Sequence, residues 1–527
     1  MRPEVVAVLL EYEVARSIAD CLAADWFHSG YGDLVRLALT CRGFYNPAMD
    51  SLWYSIDALT PLLHCFSSPV RAIMAEGEFA WRLSRTPCTS DWDRFLSYAA
   101  RVRELHLNYE NPNQAGEAAY DVIALHRPVS ASPLFPNLHT ISWNSANDII
   151  DPYISLFISA SLQDLSMAVN SNISATNLFD TLQFNAPRLR HLDIDTDNFD
   201  ASRETYDALK DAMYSWPAIE TFRINGRAIM LEAKEILHLS RLSSLTTVTI
   251  PLNVTSGFDT SMLKTNDLFF PSLRVLDLVI GKELDDIFLA QTVIHRITSF
   301  TVREIILDLP LVPSEPVVRN LFSNVAKHLQ LEKIQVVPSS SHRKAIEENF
   351  LEVLLSCSTL DPLLDIPTIR EVDIQYLPFD LYSEDIEKIA NAWPHLQELQ
   401  LGIHCICPDF TPCLPFTSLT AFKVCPDLTR VGLTFDKHLP DESAVWESVG
   451  LKVQVVDIGR TYVDDSMPWP LAEYMVDLFP NIIMCYGRVD LDGVDSEYRE
   501  RTLKRLWADI EIVRNSRAGD ATRERPA

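Results

Sequence analysis

A net charge of −27 over 527 residues argues against non-specific nucleic-acid binding, because such binding depends on lysine and arginine side chains that neutralise phosphates. It also argues against an anionic membrane surface, and no apolar run approaches the ~20 residues of a membrane span. Only 15 glycines argue against glycine-rich phosphate loops, and ten scattered cysteines indicate free thiols of a reducing compartment rather than a disulfide framework.

The N-terminal apolar run covers Val5 to Leu10 and is flanked by Glu4, Glu11 and Glu13. A secretory signal peptide needs a basic flank, a longer apolar core and a small-residue cleavage site. We therefore expect an intracellular protein that resides in the cytoplasm, the nucleus or both.

Three short helices are predicted over residues 10–53. The first has an apolar stripe with a spacing of four residues, formed by Leu10, Val14, Ile18 and Leu22. Asp33 is a candidate N-cap for the second, and the third is predicted over 48–53. The second helix has its own apolar stripe, formed by Leu34, Leu37, Ala38 and Cys41. Taken alone, three such helices could simply close the end of a repeat array, which needs a polar-faced cap.

The residues from 10 to 57 also resemble an F-box. They contain L-x-x-E-V-x₃-I-x₃-L from Leu10, D-L-x-x-L-x-L-x-C-R-x-F from Asp33, and Leu52-Trp53 at the end. The F-box is a three-helix module that docks on the Skp-type adaptor of cullin-based SCF ubiquitin ligases. The resemblance therefore implies that adaptor and its cullin ligase core as partners. The residues that match the family's core and adaptor-binding positions are Leu10, Val14, Ile18, Leu22, Leu34, Leu37, Cys41 and Phe44.

Residues 58–101 are predicted to form a helical linker, because Trp92, Phe95 and Ala99 have helical spacing. The segment from Asp91 to Leu107 is similar to the joint between F-box and repeats in a large fungal group of F-box proteins. Residues 108–133 are polar and contain asparagine and proline, so an irregular connection is predicted there.

An L-x-x-L-x-L pattern recurs thirteen times after residue 101. In one example, Pro271 precedes Leu273, Leu276 and Leu278. The alternation of apolar and polar residues is the period of a half-buried strand, and the intervening segments have helical spacing. The first apolar positions are 102, 138, 162, 189, 219, 245, 273, 302, 331, 369, 396, 428 and 453, so the mean step is (453 − 102)/12, about 29 residues.

A repeat of this length with this motif is typical of a leucine-rich-repeat solenoid. The predicted fold class is therefore α/β, with an F-box over 10–57 and a solenoid over 102–490. The expected shape is a horseshoe with parallel strands on the concave face and helices on the convex face. The long step from 331 to 369 predicts a surface insertion, and 419–424 is predicted as helix. Residues 491–515 are predicted to form a helical cap, and 516–527 a disordered tail.

No nucleotide-binding or hydrolase motif occurs in the sequence: G-x-G-x-x-G, the Walker lysine loop, H-E-x-x-H and G-x-S-x-G are all absent. His404, Cys405, Cys407 and Cys413 carry the atoms that zinc binds. However, C-x-C without a second well-spaced pair favours free thiols in a connection between repeats. We therefore expect no catalytic residue, no metal and no cofactor.

The residue between the last two apolar positions of each motif points away from the core. On the predicted concave face these positions include Asp193, Arg223, Asp277, Asp373 and Asp457. Four acids against one base favour a target protein with a basic segment. The alternative is an ordinary solvated face of an acidic chain.

These observations predict a substrate-recognition adaptor of an SCF-type E3 ubiquitin ligase, which acts in the ubiquitin conjugation pathway without catalysis of its own. The alternative is a protein-interaction scaffold without a ligase role, because Glu11 stands where the F-box family usually has proline. A catalytic or GTPase-regulating solenoid has little support, because no catalytic constellation is present.

Overall fold

The computed structural model describes residues 12–24, 30–67, 69–73, 79–108, 111, 114–129, 133–144, 150–196, 201–226, 229, 231–252, 269–281, 283–309, 313–337, 354–403, 412–436, 438, 452–459, 461, 463, 467–486 and 495–523. The chain forms two compact units, Met1–Met230 and Leu231–Ala527. The architecture is α/β, and the described residues contain fifteen parallel repeat strands, six in the first unit and nine in the second.

The first unit begins with three helices that pack on one another, α1 (Tyr12–Ala24), α2 (Gly30–Thr40) and α3 (Arg42–Leu52). We call them the three-helix module. Cys41 is extended, with φ −162° and ψ 164°, and is the N-cap of α3, so the third helix begins six residues before its predicted start at 48. The buried apolar side chains of the module are mostly small: Ala15, Ala19, Leu34, Ala38 and Ala48.

The segment that follows differs from the predicted helical linker. It contains β1 (Ser55–Ile56), α4 (Thr60–Leu63), β2 (Pro69–Ile73), β3 (Phe79–Leu83) and α5 (Thr89–Ala99). Strands β2 and β3 form an antiparallel hairpin, and the β-branched residues of β2 and the aromatic residues of β3 favour strand over helix. The helical spacing of Trp92, Phe95 and Ala99 applies to α5 alone, where all three are buried.

The repeats of the first unit follow. Their strands are β4 (Glu104–Asn108), β5 (Thr140–Asn144), β6 (Asp164–Ala168), β7 (His191–Asp195) and β8 (Thr221–Asn225), and β1 pairs with β4. The connections contain α6 (Glu117–His126), a 3₁₀ helix (Asp151–Leu156), α7 (Asn172–Asn185) and α8 (Arg203–Met213). Helix α6 lies where an irregular connection was predicted, because Ala119, Tyr120 and Ile123 form a buried helical face within that polar segment.

The second unit continues the same strand–helix alternation. Its first elements are α9 (Ala233–Ser240), β9 (Thr247–Leu252), β10 (Val275–Ile280), α10 (Leu284–Arg296), β11 (Glu304–Asp308), α11 (Glu315–Val325) and β12 (Lys333–Val337). The predicted insertion at 339–342 lies outside the described residues. Next come β13 (Leu355–Ser356), a 3₁₀ helix (Cys357–Leu360), α12 (Asp361–Leu364), β14 (Glu371–Ile374), β15 (Phe379–Asp380), α13 (Ser383–Ala392) and β16 (Glu398–Leu401).

The last elements are a 3₁₀ helix (Phe416–Val424), β17 (Arg430–Gly432), β18 (Val455–Asp457), α14 (Pro468–Leu478), β19 (Met484–Tyr486) and α15 (Asp495–Arg523). The segment 419–424 is therefore helical, as predicted. Short strands β13 and β15 pair only with each other among the described residues.

All thirteen predicted strands are present among the described residues, and each begins two residues after the first apolar position of its motif. Those first positions are at most 1% exposed. Neighbouring strands pair in parallel with equivalent positions opposite each other, for example Leu276 with Ile305. Strands β1 and β19 were not predicted.

Prolines shape the turn that leads into seven of the thirteen predicted strands. In the turn before β5, Leu138 N donates to Phe135 O at 3.2 Å, so Pro136 occupies the second position of a β-turn, which proline favours. One carbonyl per repeat then accepts two bonds from the next repeat. Arg274 O, for example, accepts from Arg303 N at 2.8 Å and from Glu304 N at 3.1 Å. These paired bonds hold successive strands in register.

Helix α15 packs against β19 at the C-terminal end of the second unit. Trp507 Nε1 donates to Ile483 O at 3.4 Å, and Arg514 Nη1 donates to Ile482 O at 3.0 Å. The helix continues to Arg523, so residues 516–523 are helical rather than disordered, and an ion pair between Arg517 and Asp477 holds its later turns. Residues 524–527 lie outside the described residues.

Candidate protein-interaction surfaces

The outer face of α2 exposes large apolar side chains. Tyr31, Val35 and Leu39 are four residues apart and are 50%, 44% and 77% exposed. Leu34 and Ala38, on the adjacent face of the helix, are buried in the three-helix module. We call Tyr31, Val35 and Leu39 the module stripe. Single exposed apolar residues are common, whereas a run over about two turns of one helix is the kind of patch that marks an interaction site.

The predicted adaptor-binding residues lie on the same module with different degrees of burial. Leu10 lies outside the described residues. Leu34 is buried, Cys41 is exposed, and the others are partly exposed: Val14, Ile18, Leu22, Leu37 and Phe44. Sequence reasoning missed the module stripe, because on the second helix it followed only the stripe formed by Leu34, Leu37, Ala38 and Cys41. The available signal was the spacing of Tyr31, Val35 and Leu39 themselves.

Polar contacts fix the module to the start of the repeats. Arg101, which follows α5, pairs with Asp50 of α3 and donates to Asn46 Oδ1 at 2.9 Å. Tyr12 OH donates to the same Asp50 carboxylate at 2.5 Å, and this hydrogen bond raises the pKa of Tyr12. The rings of Trp53 and Tyr98 stack with their centroids 4.8 Å apart. The module and the first strands therefore form one packed body.

A groove of 660 Å³ lies between the module and the first strands. Its walls include Arg16, Tyr31, Tyr54 and His106. The Arg16 guanidinium lies 5.7 Å from the Tyr54 ring centroid, a cation–π distance, and Arg16 Nε donates to Asp20 Oδ1 at 2.9 Å. Because Tyr31 and His106 both line it, the groove connects the module stripe with the open face of the strands.

Two rows of side chains cross the open strand face. The entry row is formed by the first residue of each strand, and the middle row by the third. In the first unit the middle row is His106, Ser142, Ser166, Asp193 and Arg223. Asn225 Nδ2 donates to Asp193 Oδ1 at 2.9 Å. Burial raises the pKa of Asp193. The charge of the neighbouring Arg223 opposes this effect without cancelling it. The predicted residues Asp193 and Arg223 are thus direct neighbours.

In the second unit the middle row runs Thr249, Asp277, Ile306, Gln335, Asp373, Gln400, Gly432 and Asp457. Thr249 Oγ1 donates to Asp277 Oδ2 at 3.3 Å, and Gln335 Nε2 donates to Asp373 Oδ2 at 3.1 Å. Asp277 and Asp373 are partly exposed on the face, as the motif predicts.

Asp457 departs from the prediction of an open strand-face position. It is 3% exposed, and its Oδ1 accepts a hydrogen bond from Gly459 N at 2.8 Å. Gly459 has φ +54°, a conformation that suits glycine, so Asp457 supports a tight turn just after β18. The motif gives the direction of a side chain but does not reveal what covers it.

The entry row of the second unit carries charges of both signs, in the order Glu304, Lys333, Glu371, Glu398 and Arg430, with the two glutamates of β14 and β16 adjacent. Lys333 Nζ lies 3.0 Å from Glu304 Oε1 and 3.5 Å from Glu371 Oε2. Burial lowers the pKa of Lys333, but the hydrogen bonds and charges of Glu304 and Glu371 together raise it overall. Arg430 Nη1 lies 3.8 Å from Glu398 Oε2.

Metal and membrane sites can be assessed only for the described parts of the chain. Within them, no group of three or more His, Cys, Asp or Glu side chains is placed to hold a metal ion. His404, Cys405 and Cys407 lie outside those parts, and Cys413 is exposed. Across the described helices, none combines the length and apolarity that crossing a bilayer requires.

The parallel strands, their repeat register and their open polar face define a leucine-rich-repeat solenoid, a protein-interaction fold. No protein-family model matches the chain, and no curated protein matches it.

The chain is similar to several solved structures. One is the Rad7 and Elc1 complex in yeast, with 13% identity over 78% of this chain and 94% of that chain, at a TM-score of 0.39. Another is an internalin (inlF) from Listeria monocytogenes, with 11% identity over 68% and 81%, at a TM-score of 0.33. A third is a TLR13–ssRNA13 complex, with 12% identity over 77% and 57%, at a TM-score of 0.34. At these identities and TM-scores, the similarities carry no argument about function.

Proposed function

We propose that this protein is a substrate-recognition adaptor of an SCF-type E3 ubiquitin ligase. The three-helix module docks the Skp-type adaptor of the cullin ligase core, and the repeats bind a target protein. The protein performs no chemistry of its own. It raises the effective concentration of the target near the ubiquitin-charged enzyme by holding both on one chain.

The observation that carries this proposal is the module stripe. It lies within the segment that resembles an F-box, and Leu39 is the last of the three leucines in the D-L-x-x-L-x-L-x-C-R-x-F match. Burying one fully exposed leucine side chain contributes about 1.5–3 kcal/mol. A partner that covers the stripe therefore gains binding free energy, because it buries apolar side chains that the module leaves exposed.

The open strand face supports the target-binding part of the proposal. Its partly exposed acids include Asp193, Asp277, Glu371, Asp373 and Glu398. These outnumber the bases on the same rows, and the whole chain carries a charge of −27. A target that presents a basic segment is favoured over one that presents an acidic segment, because complementary charge steers association.

The test is calorimetric titration of the full chain with a purified Skp-type adaptor. Two variants form a matched pair: Leu39→Asp on α2, and Leu125→Asp on α6, where the leucine is also 77% exposed. We expect Leu39→Asp to weaken binding at least about tenfold, equivalent to about 1.4 kcal/mol. Leu125→Asp should bind as the unaltered chain does.

Failure of the unaltered chain to bind would reject the ligase role and leave the interaction scaffold as the better account. Equal loss in both variants would show that binding does not use the module stripe.

A further inference from the structure

An exposed phenylalanine and an exposed leucine occupy equivalent places in two neighbouring repeats of the second unit. Phe300 lies four residues before β11 and is 91% exposed, and Leu329 lies four residues before β12 and is 64% exposed. The first residues of β11 and β12 are opposite each other, and neighbouring strands are about 4.8 Å apart. Proline takes the same place before β10 and β14, at Pro271 and Pro367. We call these four residues the corner row.

Hydrogen bonds on both sides of Phe300 fix the turn that exposes its ring. Ser299 Oγ and Thr301 Oγ1 both donate to Leu273 O, at 2.8 Å and 3.1 Å. Ser299 Oγ also lies 2.9 Å from Thr301 Oγ1, and Ser299 is only 3% exposed. The backbone around Phe300 is therefore anchored to the preceding repeat, while the ring extends into solvent.

A turn of the same kind before β6 shows that this conformation does not need a ring. There Ser161 Oγ donates to Leu138 O at 2.9 Å and lies 2.8 Å from Ser159 Oγ. The residue between the two serines is Ala160, which is exposed as Phe300 is. Because the turn forms with a methyl group in that place, the exposed ring of Phe300 is not a requirement of the fold and is available to a partner.

Charged side chains lie beside the corner row. On β10, β11, β12 and β14, the residue that precedes the entry row is Arg274, Arg303, Glu332 and Arg370 in turn. Backbone hydrogen bonds of 2.7–2.8 Å join each of these residues to the next, so they are direct neighbours across the strands. We call them the rim row. Each lies three residues after a member of the corner row, and three residues of extended chain span at most about 11 Å.

Two arginines of the rim row have no counter-charge. Arg303 Nη1 lies 3.3 Å from Glu332 Oε1. Arg274 and Arg370 are exposed, and neither forms an ion pair with any residue that the structure describes. The chain has 72 acidic residues for 45 basic ones, so a base without an acidic partner departs from its general composition. Arg274 and Arg303 are also like charges on directly neighbouring strands, an arrangement that is destabilising.

The acids of the neighbouring entry row are already paired. Glu304 Oε1 and Glu371 Oε2 lie 3.0 Å and 3.5 Å from Lys333 Nζ, which stands between them in the row. The unpaired arginines lie on β10 and β14, the strands that flank the exposed apolar side chains of the corner row. Positive charge on both sides of an exposed apolar pair fits a partner segment that is both acidic and apolar.

We propose that the corner row and the rim row of the second unit form a docking surface for an extended segment of a partner protein in which acidic and apolar residues alternate. The segment crosses β10 to β14. Its carboxylates pair with Arg274 and Arg370, and its apolar side chains cover Phe300 and Leu329. Alternate side chains of an extended segment point to opposite sides, so the two kinds of residue face the two rows at once. This surface is separate from the middle row and does not depend on the ligase role.

A nucleic acid fits this surface less well than an acidic protein segment. Its phosphates would carry charge at every nucleotide and would also approach Glu304, Glu332 and Glu371. The charge of −27 on the whole chain opposes a long polyanion, whereas a short segment with few acids meets mainly the local arginines.

The probe is a fluorescein-labelled peptide, Gly-Ser-Glu-Leu-Glu-Leu-Glu-Ser-Gly, measured by fluorescence anisotropy with the full chain at low ionic strength. One comparison peptide replaces each glutamate with glutamine, and another replaces each leucine with serine. We expect the probe to bind at least about tenfold more tightly than either comparison peptide, because each lacks one of the two contacts. Equal binding of the three peptides would overturn the proposal. Displacement of the probe by an equal concentration of oligothymidine would overturn the choice of a protein partner.

The charge variants compare two pairs of exposed arginines. The test variant is Arg274→Gln with Arg370→Gln, and the control is Arg188→Gln with Arg190→Gln at the start of β7. We expect the test variant to lose at least about tenfold in affinity for the probe and the control less than about twofold. Equal losses would show general attraction between the probe and any arginine of the chain, and would reject the site.

The apolar variants compare two exposed rings. Phe300→Ala should weaken probe binding at least about fivefold, and Phe184→Ala, whose ring is 77% exposed on α7, should leave it unchanged. Phe300→Ala should melt at the temperature of the unaltered chain, because Ala160 occupies the same turn before β6. A lower melting temperature would show that the ring serves folding and would contradict the proposal. All four variants should bind the Skp-type adaptor as the unaltered chain does, so failure of the docking surface and failure of the ligase role are distinguishable.

Discussion

The three-helix module and the repeats distribute their apolar side chains in opposite ways. The repeats bury large residues completely, such as Trp143, Phe222 and Leu276, and leave a polar strand face open. The module buries mainly alanines and leaves the module stripe exposed. The repeats thus bury their apolar side chains in their own core. The module leaves apolar side chains exposed, where they are available to a partner. This difference assigns stability mainly to the repeats, and under the proposed function docking is assigned to the module.

The largest change in stability should follow the removal of a core aromatic side chain of the repeats. Phe222→Ala in β8 removes a fully buried ring, and we expect a loss of about 3–5 kcal/mol in the free energy of unfolding. Phe184→Ala on α7 is the control, because that ring is 77% exposed and its removal should cost less than about 0.5 kcal/mol. Urea denaturation measures both. Similar midpoints for the two variants would contradict the assignment of stability to the repeat core.

Replacement of two glycines by alanine should change the stability of the protein in opposite directions. Gly459 has φ +54°, and a Cβ there would lie 2.6 Å from Thr434 Oγ1, so Gly459→Ala should destabilise the protein by about 1–3 kcal/mol. Gly32 lies in α2 with nothing within 4 Å of an added Cβ, so Gly32→Ala should stabilise it by up to about 0.5–1 kcal/mol. Differential scanning calorimetry gives the sign of each shift. A lower melting temperature for Gly32→Ala would mean that α2 does not have free space for a side chain at residue 32.

Asp91 should make the link between module and repeats sensitive to acid. Its carboxylate accepts from Cys88 N at 3.0 Å, Ser67 N at 3.1 Å and Arg85 Nη2 at 2.7 Å. The bond from Cys88 N–H is the largest contribution that lowers the pKa of Asp91, and it outweighs the effect of burial.

A lowered carboxyl pKa contributes stability above the unfolded-state pKa of about 3.9, and this contribution is lost as the pH falls through the folded-state value. Asp91→Asn should therefore lower the melting temperature at pH 7, and the difference from the unaltered chain should shrink as the pH falls below about 4. The exposed Asp93→Asn is the control. A difference that stays constant with pH would contradict the role of the Asp91 charge.

The smallest change in stability should follow the loss of one charge from the pair formed by Glu371 and Glu398 on the strand face. Glu398→Gln removes one charge of the like-charge pair with Glu371 but also the distant partner of Arg430, so we expect a gain of only about 0.2–1 kcal/mol. Careful denaturation at low ionic strength can resolve such a change. Marked destabilisation would show that Arg430 depends on Glu398 more than the 3.8 Å separation indicates.

The strands were the part of the fold that sequence predicted best. Their motif places one apolar residue on the core side at every second position, so each of the thirteen predicted strands could be located to the residue, whereas β1 and β19 were not predicted. The β2–β3 hairpin was missed because it occurs once, outside the repeats. Helix α6 was missed because the polar composition of the connection between β4 and β5 concealed the apolar spacing of Ala119, Tyr120 and Ile123.

For the site residues, the sequence predicted the side of the sheet to which each side chain points but not how deeply that side chain is buried. The motif placed Asp193, Arg223, Asp277 and Asp373 on the open face, where they lie partly exposed. Asp457 is covered because the chain turns tightly at Gly459. The module stripe was missed for a related reason. When alanines fill a helical core, the larger apolar residues are free to face outward, and spacing alone does not distinguish the two faces.

The most direct test of the difference between module and repeats is hydroxyl-radical footprinting of the full chain with and without a purified Skp-type adaptor. Side-chain oxidation would be read by mass spectrometry at Tyr31, Val35 and Leu39, with Leu125 and Ile173 as exposed apolar references. The account predicts strong protection of the module stripe and unchanged labelling of the references. Unchanged labelling of the stripe under conditions where the adaptor binds would contradict it.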